Sequence, residues 1–194
     1  MRKIAIVGNI ACGKSTVENM LRMNGFTVFD SDELSHEILE NSEIKVKEAF
    51  KGLDIEEDGK LSRQKLGLLV FKNKDLKSRL ENIIYPQLRE KIEKIFIENL
   101  KMDFVFISIP LLFEVGWQDL FDNILFISTD EGIRLKRLMK RNNLSEEDAL
   151  CRIKSQLDEV EKIKNSDFVI CNNEDISNLQ KEINKFIILL RTME

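Results

Sequence analysis

The sequence predicts an α/β fold: a five-stranded parallel sheet flanked by helices. Three observations point to it. Five short apolar runs, at 4–7, 26–29, 104–109, 124–127 and 168–170, are rich in Val, Ile and Phe without polar alternation, as suits strands buried on both faces of a parallel sheet. Helix-compatible stretches separate or follow them at 14–23, 33–40, 62–100, 131–141, 146–164 and 176–190, and such alternation is the pattern of right-handed βαβ units. Only 2 Pro and 8 Gly occur in 194 residues, so long helices are easily accommodated.

Taken in order, the first run ends at Val7, before a glycine-containing loop, and a helix begins at Lys14. The second run ends at Phe29-Asp30-Ser31-Asp32. The stretch before the third run is longer than a crossover needs. It carries two helical patterns, around 61–71 and 76–100, with Pro86 kinking or splitting the second. This predicts a helical substrate-side insertion, about 42–100, within a single domain whose core is about 1–40 and 101–194. After the fourth run, Asn142-Asn143-Leu144-Ser145 interrupts a basic helix, and Ser145 with Asp148 three residues on resembles a helix start. A break flanked by arginines reads as a lid, about 134–156.

Apolar residues make up 43% of the chain, enough for a core and too much for disorder. The balance of 30 Lys+Arg against 34 Asp+Glu, net −4, argues against a protein that lives on nucleic acid. Cys12, Cys151 and Cys171 cannot all pair with one another and lack C-x-x-C spacing. No apolar run reaches 18 residues, and no signal peptide is visible after Met1. A cytoplasmic protein without membrane or nucleic-acid partners is expected. The single histidine, His36, excludes a His-based metal site or a Ser-His-Asp triad built from this chain.

Gly8-Asn9-Ile10-Ala11-Cys12-Gly13-Lys14-Ser15 fits G-x-x-x-x-G-K-[ST] between a strand and a helix. Glycines at both ends let backbone N–H groups turn inward onto a phosphate, and the helix adds the positive end of its dipole. Lys14 is placed to reach the β- and γ-phosphates, Ser15 to ligate Mg²⁺, and Thr16 to approach the α-phosphate. The chain therefore reads as a P-loop NTPase, with ATP and Mg²⁺ expected. Cys12, in such a loop next to a helix start, is expected to have a lowered pKa and to be shielded from alkylation by ATP.

A P-loop alone does not separate a kinase from a GTPase or a regulatory NTPase. The guanine-reading N-K-x-D has only an imperfect counterpart in Asn172-Asn173-Glu174-Asp175, with Asn in place of Lys. Asp30 and Asp32 lie where a carboxylate can accept a proton from an attacking hydroxyl, hold it in line, or help order Mg²⁺; capping the next helix is the structural alternative. Arg134, Arg137 and Arg141, at i, i+3 and i+7, share one helical face. They serve either a lid over the phosphates or a solvated basic surface. His36 lies one helical turn after Asp32, and Trp117 reads as a packing anchor.

Along nearly its whole length the chain resembles the dephospho-CoA kinase family. The resemblance is carried by the P-loop at 8–16, by Asp30-Ser31-Asp32 with His36, and by Gly59-Lys60-Leu61-Ser62-Arg63 with Leu66 and Val70-Phe71. It continues at Pro86, Pro110-Leu111-Leu112-Phe113-Glu114 and Lys136-Arg137-Leu138-Met139-Lys140-Arg141. The last matches are Arg152-Ile153-Lys154-Ser155-Gln156, Glu161-Lys162 and Asp167 to Asn172. This resemblance implies a nucleotide-kinase fold with a lid, and transfer of the ATP γ-phosphoryl group to the ribose 3′-hydroxyl of dephospho-CoA with Mg²⁺. It implies Lys14, Asp32 and Arg141 as catalytic residues, with Asp32 as base or orienting group. Gly8, Ala11, Cys12, Gly13, Lys14, Ser15, Thr16, Arg137 and Asn172 would bind ATP, with Asn172 near the adenine. Asp32, His36, Tyr85 and Leu111 would bind the acceptor. Asn9, Ala11 and Cys12 depart from the family's glycine-rich loop, Tyr85 stands where His is usual, and Ser108 stands where Asp is frequent. Another P-loop nucleoside, nucleotide or small-molecule kinase, and a P-loop regulatory NTPase, are the alternative readings.

Overall fold

A computed structural model of the chain describes residues 1–193. In chain order the elements are β1 (Arg2–Gly8), α1 (Lys14–Met23), β2 (Thr27–Asp30), α2 (Ser31–Asn41), α3 (Glu43–Ala49), β3 (Glu56–Glu57), β4 (Lys60–Leu61), α4 (Arg63–Lys72) and α5 (Lys74–Glu98). They continue with β5 (Phe104–Ser108), α6 (Leu112–Val115), β6 (Asn123–Ser128), α7 (Glu131–Asn142), α8 (Glu146–Lys154), α9 (Glu159–Lys164), β7 (Phe168–Cys171) and α10 (Ile176–Arg191). The chain divides into two compact units, residues 1–30 with 99 onward, and Ser31–Glu98.

The first unit is built on a five-stranded sheet in the order β2-β5-β1-β6-β7, with every neighbouring pair parallel. The five predicted strands are these five. Their registers align Asp30 with Ser108, Gly8 with Ile127, and Ser128 with Cys171. All five C-terminal ends therefore share one edge, where parallel sheets bind ligands. Ile4 and Ile6 of β1 pack with Val17 and Leu21 of α1 and with Ile183, Phe186 and Leu190 of α10. Phe106 meets Phe26 and Phe186 edge-on at 5.4 and 6.4 Å, and Phe168 meets Phe186 at 5.2 Å. Each such side chain contributes about 1.5–3 kcal/mol on burial. Trp117 is buried, as expected of a packing anchor.

The second unit is helical. Val46, Phe50, Ile55 and Leu66 form its buried centre, with Leu61, Leu69, Leu76 and Leu80 against them. The helix 31–41, which the sequence reading grouped with the core, belongs to this unit and packs on α5. Pro86 does not split the second helical pattern: α5 runs unbroken for 25 residues through it. Pro86 leaves the Asn82 carbonyl without its usual donor, but Ile84, Leu88, Ile92 and Ile95 are buried on both sides of that position and keep the helix whole. Between α3 and α4, Asp58 (φ 49°) and Gly59 (φ 76°) turn the β3–β4 hairpin, both in the left-handed conformation such two-residue turns require. The predicted helix 146–164 is two helices, divided where Asp158 accepts a capping bond from the Val160 amide at 2.6 Å. Among the described residues, no helix is long and apolar enough to cross a membrane.

Candidate active site

β1 leads at the C-terminal sheet edge into the loop 9–13. Ala11 (φ 62°) and Gly13 (φ 90°) take left-handed backbone. At Ala11 this conformation costs about 1–2 kcal/mol that glycine would avoid. Neither loop glycine has room for a side chain. A Cβ on Gly8 would lie 2.5 Å from Cys12 Sγ and 3.0 Å from the Ile127 carbonyl oxygen, and one on Gly13 would lie 2.2 Å from Nδ2 of Asn172.

The loop is tied down at three points by elements far away in sequence. Lys162, 1% exposed, donates to Asn9 Oδ1 at 2.9 Å and to Glu114 Oε1 at 2.7 Å, so its buried ammonium is paired. The Ile10 amide donates to Gln156 Oε1 at 2.7 Å. The Cys12 carbonyl accepts from Asn172 Nδ2 at 2.7 Å, Thr129 Oγ1 at 2.9 Å and Arg137 Nη1 at 3.5 Å. A trans peptide carries its C=O and N–H on opposite sides. Holding the Cys12 oxygen therefore aims the Gly13 N–H the other way. Ile10 and Ala11 also pack on Leu138 of α7 and on Ala149 and Ile153 of α8, the helices predicted as the lid. Between those helices, Ser145 accepts the Asp148 amide at 3.1 Å, as the sequence suggested.

Lys14 opens α1 and donates to Ser108 Oγ and, at 2.9 Å, to Glu18 Oε1. The Ser108 hydroxyl donates in turn to the same carboxylate oxygen at 2.6 Å. Glu18 is buried, and its other oxygen has Arg22 at 3.8 Å. Sequence reasoning passed over Glu18, although its i, i+4 relation to Lys14 was a readable signal. Ser15 is exposed in the first turn, and Thr16 is half-buried beside it.

The three arginines part company. Arg137 also donates to the Asn172 carbonyl at 3.2 Å. Arg134 serves neither a lid nor a solvated face: it is 4% exposed, donates from Nε to the Thr129 carbonyl at 2.9 Å and pairs with Glu159 at 3.3 Å. Arg141 is exposed and donates to its neighbour Asn142 Oδ1 at 3.0 Å. Gly13, Thr16, Arg137, Asn172, Glu174, Ile176 and Leu179 line a cleft of about 260 Å³ beside the loop. The guanine-reading counterpart is used structurally: Asp175 caps α10 by accepting the Asn178 amide at 2.9 Å, and Asn173 Oδ1 accepts the Asp130 amide at 2.8 Å.

Cys12 differs from expectation. Burial outweighs the nearby donors and cations and pushes its thiol up to about 11 from an ordinary 9.0. Sγ lies over Gly8 and accepts from the Lys14 amide. Iodoacetamide at pH 8 is accordingly expected to modify exposed Cys151 and Cys171 and to spare Cys12, with or without MgATP. Peptide mapping by mass spectrometry checks this, and rapid Cys12 labelling that MgATP blocks would restore the reactive-thiol reading.

In the first unit, Leu111 is half-buried just before α6. In the second, Asp32 is exposed within the first turn of α2, because the helix begins at Ser31, and exposed His36 follows one turn on. Tyr85 is half-buried on α5, its hydroxyl donating to Glu81 at 2.9 Å. No three His, Cys, Asp or Glu side chains form a metal cage among the described residues. The oxygens of Ser15, Ser108 and Glu18 around the start of α1 suit a hard divalent cation that keeps most of its water.

The model of the dephospho-CoA kinase family matches residues 2–178. The dephospho-CoA kinase of Listeria innocua is 39% identical over 193 residues, covering 96% of both chains. That of Sulfurimonas denitrificans is 40% identical over 185 residues, covering 95% of this chain and 92% of its own. The solved dephospho-CoA kinase of Campylobacter jejuni superposes with a TM-score of 0.76 at 32% identity, over 99% of this chain and 98% of its own. A likeness that runs through sheet, loop and helical unit alike cannot come from the shared phosphate loop alone, and the chain belongs to the dephospho-CoA kinase family.

Proposed function

We propose that the chain transfers the γ-phosphoryl group of ATP to the ribose 3′-hydroxyl of dephospho-CoA, giving CoA and ADP. The observation that carries this reading is the family match over 2–178 in a chain that keeps the G-x-x-x-x-G-K-S pattern, Lys14 included. Such transfer is catalysed mostly by positioning and electrostatics. The Ile10 and Cys12 amides already have protein acceptors, Gln156 and Asn9. The Lys14 amide is likewise turned to the Cys12 sulfur, so the cradle for the β- and γ-phosphates is assigned to the amides of Gly13 and Ser15 and to the Lys14 ammonium.

The cleft beside Asn172 and Thr16 takes the nucleoside of ATP, and Arg137 steadies its wall. Asp32 orients the acceptor hydroxyl and takes its proton. His36, Tyr85 and Leu111 contact the acceptor, and Arg141 bears on the transferring group from the lid. Ser15 would hold Mg²⁺, which would supply positive charge to the transferring phosphates. A net charge of −4 gives no reason to add a nucleic-acid partner, and three free cysteines suit a cytoplasmic setting.

An acceptor panel tests the proposal. With MgATP, dephospho-CoA should drive ADP formation, whereas AMP, dTMP and shikimate should not. ADP release driven by another acceptor would make the chain a different small-molecule kinase. Acceptor-independent release alone would make it a regulatory NTPase.

A further inference from the structure

We infer that Glu18 supplies the carboxylate that supports the nucleotide-bound divalent cation, a charge that P-loop enzymes ordinarily carry at the end of the strand beside the loop. Here that strand is β5, paired to β1, and its last residue is Ser108. A hydroxyl has the oxygen but not the charge. The charge arrives from α1: the Glu18 carboxylate accepts the Ser108 hydroxyl at 2.6 Å and so stands against the strand end. It lies three residues after Ser15, on the same side of α1.

Charge balance supports this role. Glu18 is 2% exposed, and a buried carboxylate needs a compensating cation. Its close partner is Lys14 at 2.9 Å, with Arg22 further off at 3.8 Å. Lys14 is the group assigned to the phosphates. An ammonium that turns to them leaves Glu18 short of positive charge, and a hydrated divalent ion arriving with the same phosphates replaces it. Mg²⁺ binds through few protein oxygens and retains several waters, which a nearby carboxylate can hold in place.

The inference rests on the proposed MgATP site, and its test reads metal coupling instead of turnover. AMPPNP affinity is measured by calorimetry in EDTA and in excess MgCl₂ for the wild type, Glu18→Gln, and Glu18→Gln combined with Ser108→Asp. In the wild type Mg²⁺ should tighten binding. Glu18→Gln should reduce that enhancement about 10–100-fold, the usual cost of losing an outer-shell partner, and Ser108→Asp should restore most of it by returning the carboxylate to the strand end. An unchanged enhancement in Glu18→Gln, even with both affinities shifted, would make Glu18 a lysine clamp only and overturn the inference. Absence of any Mg²⁺ enhancement in the wild type would overturn the MgATP reading together with it.

Discussion

Replacing Asp32 by Asn is expected to lower turnover of dephospho-CoA by about 10²–10⁴, the range for losing a positioned proton acceptor, while MgATP affinity stays within several-fold. Asp32 occupies the first turn of α2, exposed, directly after the strand whose last residue, Asp30, lies at the ligand-binding edge. Asn preserves shape and one acceptor oxygen but takes up no proton. The loss should therefore fall on kcat and spare nucleotide binding, which the proposal assigns to the loop. Steady-state ADP formation gives kcat, and calorimetric titration with AMPPNP gives affinity. Turnover equal to wild type would remove Asp32 from the reaction, and a matching collapse of nucleotide affinity would make it part of the ATP site instead.

The sheet was legible because its three central strands, β1, β5 and β6, are buried on both faces, and the half-exposed edge strands β2 and β7 keep the same apolar composition. The short runs rich in Val, Ile and Phe marked all five to within two residues, and α1 was bounded correctly at Lys14 and Met23. The helical unit was harder to read. The short polar helix Glu43–Ala49 has no stripe beyond one buried Val46, and the Asp58-Gly59 turn links strands of only two residues each. In both, packing onto Phe50, Ile55 and Leu66 supplies what local pattern does not.

The loop's own residues were equally plain, but what holds them was not. Asn9 meets Lys162, and the Cys12 carbonyl meets Thr129 and Asn172, across more than a hundred residues brought together by sheet order. No spacing rule reaches that far. The arginine stripe shows a second limit. Seven residues return a helix to nearly the same face, yet Arg141 lies about 10 Å further along the axis than Arg134. Arg134 is covered by Thr129 and Glu159 at the sheet edge, whereas Arg141 extends past such cover. Cys12 shows a third: the Lys14 amide at the helix start and the nearby cations do lower its pKa, but burial of a sulfur packed over Gly8 raises it by more.

Gly13→Ala should weaken AMPPNP binding by at least about 10²-fold, because an unformed cradle forfeits several charge-assisted hydrogen bonds of about 1.5–3 kcal/mol each. Two independent faults arise at one atom. Backbone at φ 90° is unfavourable for alanine, and the new Cβ would fall 2.2 Å from Asn172 Nδ2. That nitrogen cannot simply swing aside. Asn172 is 6% exposed, and its Nδ2 is committed to the Cys12 carbonyl at 2.7 Å. Relief must come from moving the Cys12–Gly13 peptide, whose N–H is assigned to the phosphates. Gly25→Ala provides the control: φ there is 86°, and a Cβ would meet nothing within 4 Å. It should carry the backbone strain alone, about 1 kcal/mol of stability, with AMPPNP binding intact. Calorimetry and thermal melting of both variants separate strain from collision. Equal nucleotide affinity in the two would show that the Asn172 contact yields freely and that the loop is not held by its carbonyl.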